Sequence, residues 1–337
     1  MAKEHRAAVA RAADRHQVAP KHAAKTSHHP AAVAVPSRWR QALKWIRIAV
    51  PIGMVAFFLF WRVFLTPDAL FILLFVVFLL YGLAFEFVKL FSPFLALLLS
   101  YDGLRGFIPY VSKHIHYSTM INFDTFIGRG EIPTARLQQL LYHGTLHWYD
   151  FYFYGLYMMH FVIPVLFAVL VWRLRPQYYW RYVWSFVVLS YAGFLTYLAF
   201  PAAPPWMASQ NGYIPKITHL STDIWFALGV HNFPTIYDKF SPNEVAAVPS
   251  LHAAYPTLVT LFIWELFGRK WGTLALIYPI SMWIGVVYMG EHYVFDVTLG
   301  IIYATVAFFG VKWLWGRWQH RHHERVAAKL ALHKQPA

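Results

Sequence analysis

Residues 290–315 read GEHYVFDVTLGIIYATVAFFGVKWLW, a short polar head followed by a run almost free of charge. An α-helix rises about 1.5 Å per residue, so the run from 293 to 315 is long enough to cross a hydrocarbon core of roughly 30 Å. Within the head, His292 and Asp296 are four residues apart and therefore lie one above the other on the same helix face. A carboxylate so placed accepts the imidazole Nδ1 proton, fixes the tautomer and leaves Nε2 directed into a site as nucleophile or base. Ionisable groups at the head of a span are costly, which makes function the default reading. The competing reading is a buried His–Asp pair that only ties two helices together.

Working outward, further apolar runs of spanning length occur at about 46–65, 69–91, 149–172, 181–200 and 272–289, with a shorter one at 253–267. Trp and Tyr gather near their ends, as in WYDFYFY (148–154) and QYYWRYVW (177–184), where amphipathic rings sit at headgroup depth. Of the 337 residues 58% are apolar and 13% charged, and the mean hydropathy is +0.42, which excludes an ordinary soluble enzyme. The net charge of +14 resides almost wholly in the ends: residues 1–47 hold 10 Lys and Arg against 2 acids, and residues 312–337 hold 6 against 1. An apolar body flanked by basic tails points to anionic membrane lipids as the electrostatic partner and argues against nucleic acid. There is no cysteine, so disulfides, thiolate nucleophiles and Cys-ligated metals are excluded. The Ala-rich start lacks the apolar core of a cleavable signal.

These features predict an all-α fold, a polytopic transmembrane helical bundle. Residues 1–44 read as a disordered basic cytoplasmic tail, 45–318 as a membrane-embedded catalytic domain and 319–337 as a second basic tail. The basic loops at 173–181 and 268–270 and the segment after Lys312 face the cytoplasm, which puts 92–148 and 201–252 outside. Six crossings keep both tails inside. Within 92–148, SPFLALLLSYDGLRG suggests an interfacial helix, and Gly128, Gly130 and Pro133 interrupt regular structure further along.

A second polar cluster, VPSLHAAYP (248–256), also opens an apolar run. Ser250 and the free amides of the first turn form a cradle for a phosphate oxygen, and His252 stands beside it to donate a proton to a leaving group. Read by itself, this cluster is equally an N-cap with an interfacial histidine.

Taken together, Pro249-Ser250-Leu251-His252 and His292-Tyr293-Val294-Phe295-Asp296 resemble the second and third signature motifs of the type 2 phosphatidic acid phosphatase superfamily. The resemblance covers about 181–315 and implies a six-helix membrane core that needs no metal or cofactor. It also implies His292 as a phosphohistidine-forming nucleophile, Asp296 as its orienting partner and His252 as general acid. Upstream, AAPPW (202–206), the Asp124, Gly128, Pro133 spacing and the Tyr157–Pro164 segment are similar to the aureobasidin-resistance branch, that of inositol phosphorylceramide synthases. The phosphatase pattern places Ser-Arg ahead of its third-motif histidine, where this chain has Gly285 and Val286, so its clamping arginine is missing. No first motif lies on the correct side either, since Arg175-Pro176 falls in a cytoplasmic loop.

That departure tilts the expectation from hydrolase to transferase, because a phosphodiester carries less charge than a monoester. The expected activity moves a phosphorylated headgroup, inositol phosphate by resemblance, from a phospholipid donor to a hydroxyl acceptor that is a lipid or a glycan. The runner-up is a lipid phosphate phosphatase, and a third reading is a proton-relaying transporter or scaffold. Candidate phosphate- or substrate-binding residues are Ser250, Tyr293, Asp124 and His160, with Lys239, His231, Arg105 or Arg129 supplying charge from the loops. His160 is alternatively a structural bond between helices. His320, His322 and His323 with Glu324 read as a solvated tail rather than a metal site. Glu86, Asp150, His143 and His147 are left without assigned partners.

Overall fold

The computed structural model describes residues 37–60, 67–105, 114–229 and 244–332. The chain divides into Met1–Trp45 and Ile46–Ala337, and the second unit holds the helical bundle and the site. The proposed tail falls mostly on residues 1–36, outside the described residues.

In order, the helices are α1 (Ser37–Phe60), α2 (Pro67–Leu80), α3 (Ala84–Arg105), α4 (Ser118–Ile127), α5 (Pro133–Leu141), α6 (Trp148–Met158) and α7 (Val162–Leu174). They continue with α8 (Tyr179–Ala199), α9 (Pro205–Gln210), α10 (Leu220–Ala227), α11 (Leu251–Phe267), α12 (Arg269–Ala275), α13 (Ile277–Tyr288) and α14 (Val294–Leu332). Among the described residues four stretches are long and apolar enough to cross a membrane: Ala84–Tyr101, Pro176–Ala199, Arg269–Tyr288 and Val294–His322. A fifth span results if α6 and α7, bent by 56°, count as one, while α2 and α11 are shorter apolar helices. The protein is an integral, multi-pass membrane protein.

Four differences from the sequence reading appear, two of them with local causes in Gly82 and Pro164. The run 69–91 is two helices, because the chain turns at Tyr81-Gly82, with Gly82 at φ +73°, a conformation that costs glycine little. The segment from 92, expected to lie in the interface, continues α3 inside a spanning helix whose Phe91 and Phe94 pack into the core. The run 149–172 is broken at Met159–Phe161: Pro164 supplies no N–H to the carbonyl of His160 and its ring crowds that carbonyl, so the helix restarts at a new angle. The last helix runs unbroken to Leu332, through much of the expected tail.

At the centre α8, α11 and α14 pack together. Tyr182 and Phe308 each meet Phe262 edge-on, at 5.1 and 5.0 Å between ring centroids, and Ser190 and Tyr255 share a buried hydroxyl bond of 3.0 Å. One end of this trio is tied by charge, with Glu265 of α11 bonded to Arg181 of α8 and, at 2.9 Å, to Lys312 of α14. The other end is covered by α4, α5, α9, α10 and the segments between them. There Gln138 donates to the carbonyls of Thr218 and Tyr288 and accepts the Thr218 N–H, fastening this cover to the end of α13.

Candidate active site

The covered end of the trio is where α11 and α14 begin. Ser250 caps α11, its Oγ accepting the Ala253 N–H at 3.2 Å, while its own N–H donates to the Asp296 carbonyl at 3.0 Å. Gly300 lets the two helices approach, since a Cβ there would lie 2.3 Å from the Ser250 carbonyl oxygen. The N-terminus of α14 is held from α4: the Asp124 carboxylate, fully buried, accepts the N–H groups of Val294 and Phe295 at 2.9 and 3.0 Å. Burial pushes the Asp124 carboxyl up to about 6, against the two amide bonds that pull it down.

These contacts bring the two sequence motifs together. His252 Nδ1 lies 3.1 Å from His292 Nε2, and His292 Nδ1 faces Asp296 Oδ2 at 3.4 Å, long for a hydrogen bond. The same Asp296 oxygen accepts the Tyr293 N–H at 2.9 Å. With Nδ1–H turned to the carboxylate, His292 Nε2 carries the lone pair, and His252 donates to it through Nδ1. His292 and Asp296 are buried, whereas His252 is half-buried. Tyr157 stacks on the His252 ring, with centroids 4.2 Å apart and planes 14° from parallel. His160, placed in the break between α6 and α7, lies with its ring centroid 4.0 Å from that of His252 and its Nδ1 2.6 Å from the Tyr157 carbonyl oxygen.

The other candidates are placed differently. Asp124 acts on the α14 backbone, and Ser250 spends its hydroxyl on a cap. Tyr293 is wholly buried beside Met120, Ala202 and Val248, and its hydroxyl has no bonded partner among the described residues. Arg129 is exposed on the turn after α4, at φ +58°. Lys239, His231 and the Arg105 side chain lie outside the described residues. Asp150 accepts the Tyr288 hydroxyl and the His147 N–H, both at 2.6 Å, and so joins α6 to α13. The missing Ser-Arg pair has a steric counterpart: a Cβ on Gly285 would lie 2.7 Å from the Phe153 ring, and Val286 is buried between Met282 and Val297.

Sequence reasoning missed Glu291. Its carboxylate accepts bonds from Ser221 and, at 3.0 Å, from His219 Nε2, residues some seventy positions away that carry no motif of their own.

Fold and site together define a membrane-embedded two-histidine centre, one imidazole backed by a carboxylate and the other 3.1 Å from it. The chain belongs to the PAP2 superfamily, whose family profile matches residues 118–310. It is 33% identical over 159 residues to the phosphoinositol dihydroceramide synthase of Bacteroides thetaiotaomicron, covering 44% of this chain and 51% of that protein. It is 27% identical over 194 residues to the inositol phosphorylceramide synthase of Candida albicans, covering 51% of this chain and 39% of that one. The chain thus spans about half the length of these curated relatives, or less. No solved structure matches it.

Proposed function

We propose that the protein is a lipid phosphotransferase that moves a phosphorylated polyol headgroup, phosphoinositol, from a phospholipid to the hydroxyl of a ceramide-type lipid. The observation that carries this reading is the 3.1 Å approach of His252 Nδ1 to His292 Nε2, with Asp296 behind the second ring. In the first step His292 Nε2 attacks phosphorus, the bond from phosphorus to the diacylglycerol oxygen breaks, and His252 gives that oxygen its proton. In the second step the acceptor hydroxyl passes its proton to His252 as its oxygen attacks, and the phosphorus–nitrogen bond breaks. His292 is then neutral again and His252 reprotonated.

Two observations favour transfer from a diester. The positions that bear Ser-Arg in the phosphatase pattern are Gly285 and Val286, the first closed off by Phe153. Both relatives are named as synthases, of phosphoinositol dihydroceramide and of inositol phosphorylceramide, products in which a phosphoinositol group is joined to a ceramide-type lipid. The site opens on the extracytoplasmic leaflet in this reading, and the basic tails rest on anionic cytoplasmic lipid. The test is incubation of the purified protein with headgroup-labelled phosphatidylinositol and a ceramide. Label moving into a ceramide-linked product supports transfer, whereas label released only as free phosphate or inositol phosphate sinks it in favour of hydrolysis.

A further inference from the structure

Glu291 immediately precedes the nucleophilic histidine, and the N–H groups of both residues converge on the Val286 carbonyl at 3.0 and 3.1 Å. Its carboxylate is held on one side only. Oε1 accepts the Ser221 hydroxyl and His219 Nε2–H, while Oε2 takes no hydrogen bond among the described residues. His219 is itself fixed: the Thr222 hydroxyl sits 2.9 Å from Nδ1, and the Trp206 ring lies flat against it at 4.5 Å and 9°. Burial works against charge on Glu291, but the His219 and Ser221 bonds and the His219 and His292 imidazoles hold its carboxyl below the ordinary carboxylate value. A carboxylate fixed through one oxygen, with the other unbonded among the described residues and next in sequence to the group that carries phosphorus, has the form of a receptor for hydrogen-bond donors on whatever hangs from that phosphorus.

A second group points the same way. The Tyr154 hydroxyl is buried and unbonded among the described residues, and it lies in the electrostatic field of Glu291. Tyr154 is also linked through its ring to the catalytic pair, since it lies 6.2 Å from Tyr157, the ring that stacks on His252. Trp225 meets Tyr154 edge-on at 6.3 Å. A buried hydroxyl unbonded among the described residues thus sits on a ring against Tyr157, and a carboxylate bonded through one oxygen belongs to the neighbour of His292. A headgroup with several hydroxyls satisfies both, donating to Glu291 and pairing with Tyr154, whereas an ammonium has donors for the carboxylate but nothing to accept the tyrosine proton.

We propose that Glu291 is a specificity-determining residue that accepts hydrogen bonds from the ring hydroxyls of the transferred polyol phosphate, with Tyr154 as a second contact and His219 and Ser221 as positioning residues. The assignment rests on the transferase reading, and its test is chosen to fail independently of it. Binding of myo-inositol 1-phosphate, ethanolamine phosphate and inorganic phosphate to the purified full chain in micelles is measured by titration calorimetry. The wild type is expected to bind inositol phosphate at least about tenfold more tightly than the other two. A hydrogen bond to a charged acceptor corresponds to roughly tenfold or more, so Glu291→Gln should weaken inositol phosphate by that factor and leave inorganic phosphate within about twofold. Tyr154→Phe should weaken inositol phosphate alone, by about two- to tenfold, and keeps the test decisive if Glu291→Gln fails to fold. Equal weakening of all three ligands marks a merely structural role and overturns the assignment, as does a preference for inositol phosphate that survives both substitutions. Tighter wild-type binding of ethanolamine phosphate overturns it too. Failure of the transferase reading would show itself elsewhere, as wild-type protein that moves no label from phosphatidylinositol to ceramide.

Discussion

The register of α14 on α11 places the two imidazoles, and Gly300 sets that register, so Gly300→Ala is an informative perturbation. Its Cβ would stand 2.3 Å from the Ser250 carbonyl oxygen, whereas real Cβ contacts essentially never fall under 3.0 Å, so the helices must separate by about 0.7 Å. Ser250 is two residues from His252, and its N–H is bonded to Asp296, the partner of His292. The displacement therefore falls on the 3.1 Å contact between the rings. Misplacement by about 1 Å costs on the order of 100-fold in rate, so headgroup transfer at saturating donor should fall by roughly 10- to 100-fold. Overpacking of this kind costs about 1–3 kcal/mol, seen as a melting temperature lower by several degrees in micelles. The control is in the same helix: a Cβ on Gly310 meets nothing within 4 Å, so Gly310→Ala should keep full activity and gain a fraction of a kcal/mol from helix propensity, about 0.5–1. If Gly300→Ala turns over as fast as Gly310→Ala, the claim that this contact aligns the site is wrong.

Other contacts give three more expected outcomes. The folded Asp124 value of about 6 lies above the ordinary 3.8, so the native state holds more protons in between, and stability present below pH 3.8 is lost as the pH rises through 6. The loss is about 3 kcal/mol; Asp124→Asn should remove it, and a wild type that gains stability relative to the variant between pH 4 and 7 would contradict the burial argument. Glu265→Ala leaves the buried Arg181 guanidinium without its carboxylate and should cost about 3–5 kcal/mol in thermal denaturation, while the folded fraction keeps its specific activity because the trio's far end holds no site residue. His252→Ala should lower turnover by roughly 2 to 4 orders of magnitude with an unchanged melting temperature; near-native turnover would remove its proton-transfer role.

What the sequence disclosed was set by short-range geometry. His292 and Asp296 share a helix face because they are four apart, and Ser250 and His252 open a helix because a polar cluster precedes an apolar run. The length and polarity of the runs marked a membrane bundle in the same way. Where long-range contacts decide, the sequence was mute: Gly300 reads as an ordinary helical glycine until the Ser250 carbonyl is seen against it. Asp124 pointed toward the site, but its bond to backbone amides 170 residues away has no local signature. Glu291 drew no reading at all, because its partners His219 and Ser221 lie some seventy positions away in a segment that carries no motif. The break that sets His160 beside His252 was missed when 149–172 was read as one run, although Pro164 marks it, since a proline disturbs the helix four residues upstream.

The central claim is that His292 takes the headgroup onto its own nitrogen, and trapping that adduct tests it most directly. Protein mixed with labelled phosphatidylinositol without acceptor, quenched in alkali, should yield a peptide with inositol phosphate on His292, and none from His292→Ala. Equal labelling of both proteins, or a phosphorylated His252 in place of His292, would contradict the account.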